Sequence, residues 1–288
     1  MVSLIVGTVD RVMEVDRLLT SLDGQIYKEF EVVVVDQNQD ERLAPLFEGH
    51  PGLAIKHLRS QPGISRARNI GLAAAKGEIV AIPDDDCWYP QRLLGEVTTW
   101  FASHPEFGIL NVVKRSAENK LVGPKWPATA RNCTRVDVWN CAISSAIFMR
   151  RSVCDAVGDF NEKIGIGAAS NYQSGEETDY VLRALEHGFQ MWYEPSLTVH
   201  HPPLHSIERL RKKSYRFALG AGYVLRVHNY PIHLVAGQVM RSLGGAAVGL
   251  FSGDIALAHT YLLRGTGQLV GYISAPRPTK RQRQLSPT

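Results

Sequence analysis

The stretch Glu78-Ile79-Val80-Ala81-Ile82-Pro83-Asp84-Asp85-Asp86-Cys87-Trp88 decides how the rest of the chain is read. Glu78 to Ile82 is a short apolar run of the kind that forms a buried strand. Three carboxylates follow at once, with no basic residue among them. Adjacent like charges repel at neutral pH, and burying them unpaired costs more than a fold can supply. Hard oxygen ligands at i and i+2 suit Mg2+ or Mn2+, which takes one or two carboxylates together with substrate phosphates. Two readings of the triplet stand side by side, a metal site at a strand's C-terminal end and an acidic solvated turn. The surrounding chain chooses between them.

Upstream, Val2-Ser3-Leu4-Ile5-Val6 is a β-rich opening strand broken by Thr8-Val9-Asp10-Arg11. Val12, Val15, Leu18, Leu19 and Leu22 then repeat at helical spacing. Phe30-Glu31-Val32-Val33-Val34-Val35 is continuously apolar, as a central parallel strand is, and ends at Asp36. Residues 53–58 form a third strand. Residues 64–75 form a helix that Lys76-Gly77 stops. This succession predicts a mostly parallel sheet covered on both faces, with Thr8, Asp36 and Asp84 at the strand ends where such sheets bind ligands. Arg66, Arg68 and Asn69 open the helix. Arginine matches phosphate geometry and a helix N-terminus favours anions, although a capped surface helix with solvated arginines reads the same way.

With these pieces in order, the chain resembles the family 2 glycosyltransferases of GT-A fold. The resemblance rests on Val2-Ser3-Leu4-Ile5-Val6, Val34-Val35-Asp36, Arg66-Ala67-Arg68-Asn69-Ile70-Gly71-Leu72-Ala73, and Gly77-Glu78-Ile79-Val80-Ala81 running into Asp84-Asp85-Asp86. It covers about residues 2–201. It implies a Rossmann-like nucleotide-diphospho-sugar fold, with the nucleotide against Thr8, Val9, Asp10, Asp36, Arg66, Arg68, Asn69, Asp84 and Asp85. It implies a DxD pair, Asp84 and Asp86, holding Mn2+ or Mg2+, with Asp86 the more direct ligand. Pro83 stands where the family often has Leu, and Cys87 where many members carry another Asp.

Farther on, residues 88–108 read as one amphipathic helix and Asn140 to Met149 as a strand bordering the site. Gly158-Asp159-Phe160 resembles the family's "vGxFdE" stretch. Gly175-Glu176-Glu177-Thr178-Asp179 crowds carboxylates at a helix start, where the dipole favours them. The segment resembles the family's "GEDxDL" motif, and Glu177 falls on the Asp that acts there as base, with Glu176 the second choice. Asp179 is expected to cap the helix or pin Arg183 at i+4. Phe189 to Glu194 reads as a strand ending at Pro195. The pair His200-His201 follows, and one of the two, His201 ahead of His200, is the expected third metal ligand, since imidazole completes such shells.

Composition sets the bounds. The chain has 288 residues, 44% hydrophobic and 21% charged, enough for one large domain with an appendage. Cys87, Cys133, Cys141 and Cys154 show no CxxC or zinc spacing, and Met1 to Gly7 shows no secretory pattern, so a reduced, cytoplasmic setting is expected. Residues 1–201 hold 20 Lys+Arg and 26 Asp+Glu, whereas residues 202–288 hold 12 and 2. The basic helix from Ile207 to Leu219 and the apolar but interrupted run from Ile232 to Phe251 suit an anionic membrane surface better than nucleic acid, for which no motif is present. The expected organisation is a catalytic domain over 1–203, a basic amphipathic helical appendage over 204–275 and a disordered basic tail over 276–288.

The reaction expected is inverting transfer of a sugar from a UDP, GDP or dTDP donor to a glycan or polyprenyl-linked acceptor, at the cytoplasmic face of a bacterial membrane. A sugar-1-phosphate nucleotidyltransferase would want a Gly-rich loop with a lysine after the first strand, which Thr8-Val9-Asp10-Arg11 does not supply. A non-catalytic carbohydrate-binding or membrane-scaffold protein would not need the acidic clusters.

Overall fold

The computed structural model describes residues 1–123, 125–203 and 207–277, with backbone alone for 207–212. The chain divides into two units, Met1–Phe160 with Tyr180–Leu204, and Asn161–Asp179 with His205–Thr288. One cut falls between Leu204 and His205, and residues 161–179 go with the second unit. The basic tail lies outside the described residues from 278 onward.

The first unit is built on a sheet of eight strands among the described residues. They are β1 (Val2–Thr8), β2 (Phe30–Asp36), β3 (Ile55–Arg59), β4 (Ile79–Ala81), β5 (Phe107–Arg115), β6 (Arg131–Cys133), β7 (Ile147–Arg150) and β8 (Gln190–His200), in the order β3-β2-β1-β4-β7-β5-β8-β6. The first four are parallel. β7 runs against both β4 and β5, β8 is parallel to β5, and β6 runs against β8. This is the mostly parallel GT-A sheet expected.

The elements form where the hydrophobic period puts them. In β2 the run Val32-Val33-Val34-Val35 is buried on both faces, as a strand between two helical layers must be. In α1 (Met13–Asp23) the residues at helical spacing, Val15, Leu18, Leu19 and Leu22, are the buried ones. The short α2 (Ala44–Glu48) precedes β3, and α3 (Ile64–Ala74) follows it. Gly71 of α3 lies directly on Ile5 of β1, with no room for a Cβ. These contacts deliver the ends of β1, β2 and β4 to one rim.

Three local expectations are corrected. The helix read over 88–108 is α4 (Leu93–Ser103), because Trp88 instead forms a backbone bridge with His200. The strand read over 140–149 is mostly helical turn, α5 (Val138–Cys141) and a 3-10 turn at Ser144–Ala146, before β7. There Asn111 Oδ1 accepts from the Ile143 amide at 3.4 Å and Ser144 turns its hydroxyl to Asp84, so side chains take the groups a ladder would use. β8 does not end at Pro195. Glu194 pairs with Val112 and Thr198 with Val113, so Pro195 to Leu197 bulge out and the proline's missing N–H costs no ladder bond. α6 (Arg151–Val157) follows β7, and α7 (Glu176–Glu186) precedes β8.

In the second unit, α8 (Ile207–Val227), α9 (Ile232–Phe251) and α10 (Ile255–Ser274) pack together. A Cβ at Gly222 of α8 would collide with the Gln268 carbonyl of α10, and one at Gly271 with the Leu219 carbonyl. Gly222 and Gly271 are where the backbones of α8 and α10 touch. Residues 161–179 lie along α8. Ser174 Oγ donates to the Phe217 carbonyl at 2.7 Å, and Asn161 Nδ2 donates to Tyr223 Oη at 3.2 Å.

Candidate active site and metal centre

Two isolated pairings build the rim of the first unit. Asp84 bridges to Gly7 in parallel, which sets the acidic triplet beside the end of β1. Trp88 and His200 exchange backbone hydrogen bonds at 2.9 Å each, which draws the end of β8 across the triplet. As a result the ligand atoms of Asp84, Asp86 and His201 all lie within 4.8 Å of one another.

Each carboxylate is oriented by its own partners. Asp84 Oδ1 accepts from Ser144 Oγ at 2.9 Å. Asp85 accepts from Thr8 Oγ1 at 2.7 Å and from Arg11 Nη1 at 2.8 Å. Asp86 Oδ2 is 2.5 Å from Arg11 Nη1, and its carbonyl accepts from Arg17 Nη2 at 2.5 Å. Asp86 Oδ1 is buried and receives no hydrogen bond, although His201 Nε2 stands 3.1 Å away. His201 Nδ1 lies 2.7 Å from the Pro202 carbonyl oxygen, which can only accept. That bond assigns the proton to Nδ1 and leaves the Nε2 lone pair facing a carboxylate oxygen. Two facing lone pairs need a cation between them, either a second proton or a metal ion.

The electrostatics agree. Burial pushes Asp86 upward, but with the second proton on His201 the imidazolium and Arg11 outweigh it and hold the carboxyl well below the ordinary range. Burial raises Asp85 to about 6 against the pull of Arg11 and Thr8, with Asp86 and Asp84 adding to the rise. Three clustered carboxylates are therefore not all comfortable as anions without more positive charge than Arg11 brings. Ligand atoms this close could share one ion, and the donor set of two carboxylates and one imidazole suits Mn2+. His200 faces elsewhere, stacked on Trp88 at 5.4 Å.

The residues expected to meet a nucleotide fall into two groups. Val9 and Asp10 form an exposed turn in which Asp10 has φ 57, and Asn38 Oδ1 holds the Asp10 amide at 2.8 Å. Asp36 is wholly buried, and its oxygens accept from Asn38 N at 2.8 Å and Arg59 Nη1 at 2.7 Å, with His57 Nε2 at 3.1 Å. It shapes the Gln37-Asn38 loop from below. In α3, Arg66 is exposed, whereas Arg68 is buried over the Phe160 ring at 5.4 Å. Asn69 exchanges hydrogen bonds with the Phe160 backbone at 3.0 and 2.7 Å and so ties α3 to the "vGxFdE"-like stretch.

The second acidic cluster starts α7 in the second unit. Glu176 is buried and Glu177 half-buried, so Glu177 is the more accessible of the two. Asp179 Oδ1 lies 2.8 Å from Nε2 of a fully buried His228. Arg183 donates to the carbonyls of Val157 and Asp159, each at 2.9 Å.

Sequence reasoning missed Arg11, Arg17, Ser144 and His228. Arg11 had a signal, a lone cation directly after the Thr8 turn that faces an all-acidic triplet. Ser144 and His228 had none, because only the folded chain brings them to Asp84 and Asp179.

A family model described as Glycosyl transferase family 2 matches residues 3–158. An uncharacterized glycosyltransferase of Bacillus subtilis (strain 168), YwdF, is 24% identical over 191 residues, 64% of this chain and 68% of that protein. An uncharacterized glycosyltransferase of Haemophilus influenzae is 35% identical over 94 residues, covering only 32% of either chain. Among solved structures, S. aureus TarS 1-349 in complex with UDP-GlcNAc superposes with a TM-score of 0.62 at 17% identity, covering 95% of this chain and 92% of that one. The mannosyltransferase PcManGT from Pyrobaculum calidifontis, in complex with GDP-Man and Mn2+, gives a TM-score of 0.56 at 20% identity, covering 99% and 77%.

Proposed function

Because the chain belongs to glycosyl transferase family 2, we propose that it is a metal-dependent, inverting enzyme of bacterial surface-polysaccharide synthesis that moves a sugar from a nucleoside-diphosphate donor to a hydroxyl of a glycan or polyprenyl-linked acceptor. The observation that carries this reading is the Asp84–Asp86–His201 cluster, with a buried Asp86 oxygen that no donor satisfies. Asp84, Asp86 and His201 are the residues that would hold Mn2+ or Mg2+. An ion there would neutralise the negative charge of the departing nucleoside diphosphate.

The chain's own residues supply the rest. Thr8 and Arg11 fix Asp85, and Ser144 fixes Asp84, so the acidic triplet is oriented before substrate arrives. The Val9–Asp10 turn and the loop that Asp36 shapes form the rim against which the nucleotide lies. Arg66 and Arg68 add positive charge beside it, and Asn69 secures their helix. Glu177, or Glu176 in its place, takes the acceptor hydroxyl's proton as that oxygen attacks the anomeric carbon from the face opposite the diphosphate. UDP, GDP and dTDP all remain candidate donors, and the UDP-GlcNAc and GDP-Man bound by the structural neighbours support this class. The basic C-terminal part supports a setting at the cytoplasmic face of the membrane, where a polyprenyl-linked acceptor is presented.

The test is Mn2+-dependent hydrolysis of a panel of nucleotide-sugars by the purified protein. Slow release of one nucleoside diphosphate, abolished by Asp86→Ala and by chelation, is expected. No metal-dependent release from any donor, with or without membrane extract as a source of acceptor, would overturn the reading.

A further inference from the structure

The second unit carries apolar surface that its own packing does not use. Along α9, Ile232, Met240, Leu243, Val248 and Phe251 are all exposed, and Phe251 is 94% so. Their spacing of three to eight residues keeps them on one broad face, opposite the buried Val235, Ser242, Ala246 and Gly249. On α10, Ile255, Leu262, Leu269 and Ile273 are exposed at the same kind of spacing. The two helices meet at the turn Ser252-Gly253-Asp254, so Phe251 and Ile255 flank one apolar tip. Exposed apolar side chains that recur along two adjoining long helices mark an interaction site.

Charge decides what covers it. Residues 202–288 hold 12 Lys+Arg against 2 Asp+Glu. One of those acids, Asp254, caps α10 by accepting from the Leu257 amide at 2.9 Å. Among the described residues, Arg241 and Arg264 are exposed on α9 and α10 themselves. A second copy pressed onto this surface would bring basic side chains together with almost no acid to balance them. An anionic lipid surface accepts both the apolar face and the charge.

The same residues fix the orientation. α9 is 20 residues long and apolar enough to cross a bilayer by length and composition. A crossing would carry the exposed Arg241 to the hydrocarbon midplane. Lying flat, the helix leaves Arg241 at the headgroup level while the apolar face enters the acyl boundary. We infer that α9 and α10 dock side by side, parallel to the surface, on an anionic lipid bilayer, with Phe251 at the inserted tip. This deepens the membrane setting proposed above and does not depend on the transfer chemistry.

The experiment uses the full chain with sucrose-loaded vesicles of phosphatidylethanolamine and phosphatidylglycerol, and with vesicles of phosphatidylcholine alone. Sedimentation with the anionic vesicles is expected to exceed the neutral control by roughly tenfold and to fall with salt. Phe251→Glu and Leu262→Glu, both at exposed positions and expected to melt as the wild type does, should each reduce binding by roughly fivefold or more. A Phe251→Trp variant should be quenched by lipids brominated near the headgroup end of the acyl chain. Wild-type protein that stays in the supernatant with anionic vesicles would overturn the inference. So would resistance to alkaline carbonate extraction, which marks a crossing, or a lipid-free dimer that the same glutamate variants dissociate. Nucleotide-sugar hydrolysis without vesicles reads the transfer chemistry separately, so failure of either proposal leaves the other standing.

Discussion

Trp88 and His200 are joined twice, by reciprocal backbone hydrogen bonds of 2.9 Å and by rings stacked at 5.4 Å. Asp86 lies two residues before the first and His201 one residue after the second. The pair is therefore the clamp that brings two distant parts of the chain to one candidate metal cluster. The Arg17 guanidinium covers the Trp88 ring at 4.3 Å. Replacing Trp88 by Ala removes an aromatic stack and a cation–π contact, each worth about 0.5–1.5 kcal/mol, together with some packing. A loss of about 2–3 kcal/mol in urea denaturation is expected, and Mn2+ affinity should fall with it.

Ser144 Oγ donates to Asp84, one of the three proposed metal ligands. Ser144→Ala should leave the fold intact and lower Mn2+ affinity by about 10–100-fold, as loss of an orienting partner does. Calorimetric titration reads the affinity. Activity recovered at high Mn2+ would separate this effect from a lost catalytic group.

Glu177→Gln keeps shape and hydrogen bonding and removes only the carboxylate proposed as base. Turnover should drop by about 10²–10⁴-fold with donor affinity unchanged. The same change at Glu176, the more buried of the pair, should cost less. The reverse ranking would move the base to Glu176.

All four cysteines are buried and free. Burial raises the Cys154 thiol to about 11, with Tyr180 and Arg151 pulling the other way, and the Tyr193 hydroxyl to about 12. The sign follows from linkage. These groups hold their protons in the native state at pH values where the unfolded chain has released them, so stability is full below about pH 8.5 and falls as pH rises from there through 11. Thermal melts between pH 8 and 11 should show that decline. A disulfide-exchange reagent at pH 8 should label the native protein slowly and all four thiols at once in denaturant.

Gly71 lets α3 lie on Ile5. Gly71→Ala improves helix propensity by about 1 kcal/mol but forces a side chain into filled space, and overpacking costs about 1–3 kcal/mol. A net loss of stability, read as a lower urea midpoint, is expected.

What could be read from residues alone was whatever depends on near neighbours. Alternation and helical spacing placed β1, α1, β2, α3 and β4 to within a few residues, because burial of an apolar face repeats with the period of the backbone. The acidic triplet was legible because three adjacent like charges demand a counter-charge wherever they sit. The misreadings came where a distant partner overrode a local pattern. Trp88 left the helix its periodicity suggested because His200 pairs with it, and Ser144 left the strand because Asp84 takes its hydroxyl.

By itself the sequence determined the parallel sheet, the rim that gathers Thr8, Asp36 and Asp84, and the two acidic clusters. Only the tertiary structure decided that Asp86 divides its oxygens between Arg11 and His201, that His201 rather than His200 turns to the carboxylates, and that Asp179 joins a buried His228. The physical reason is one of range. Backbone propensity and hydrophobic period act over a few residues, whereas a carboxylate's partner is whichever donor the folded chain brings within about 3 Å, and sequence separation sets no limit on that.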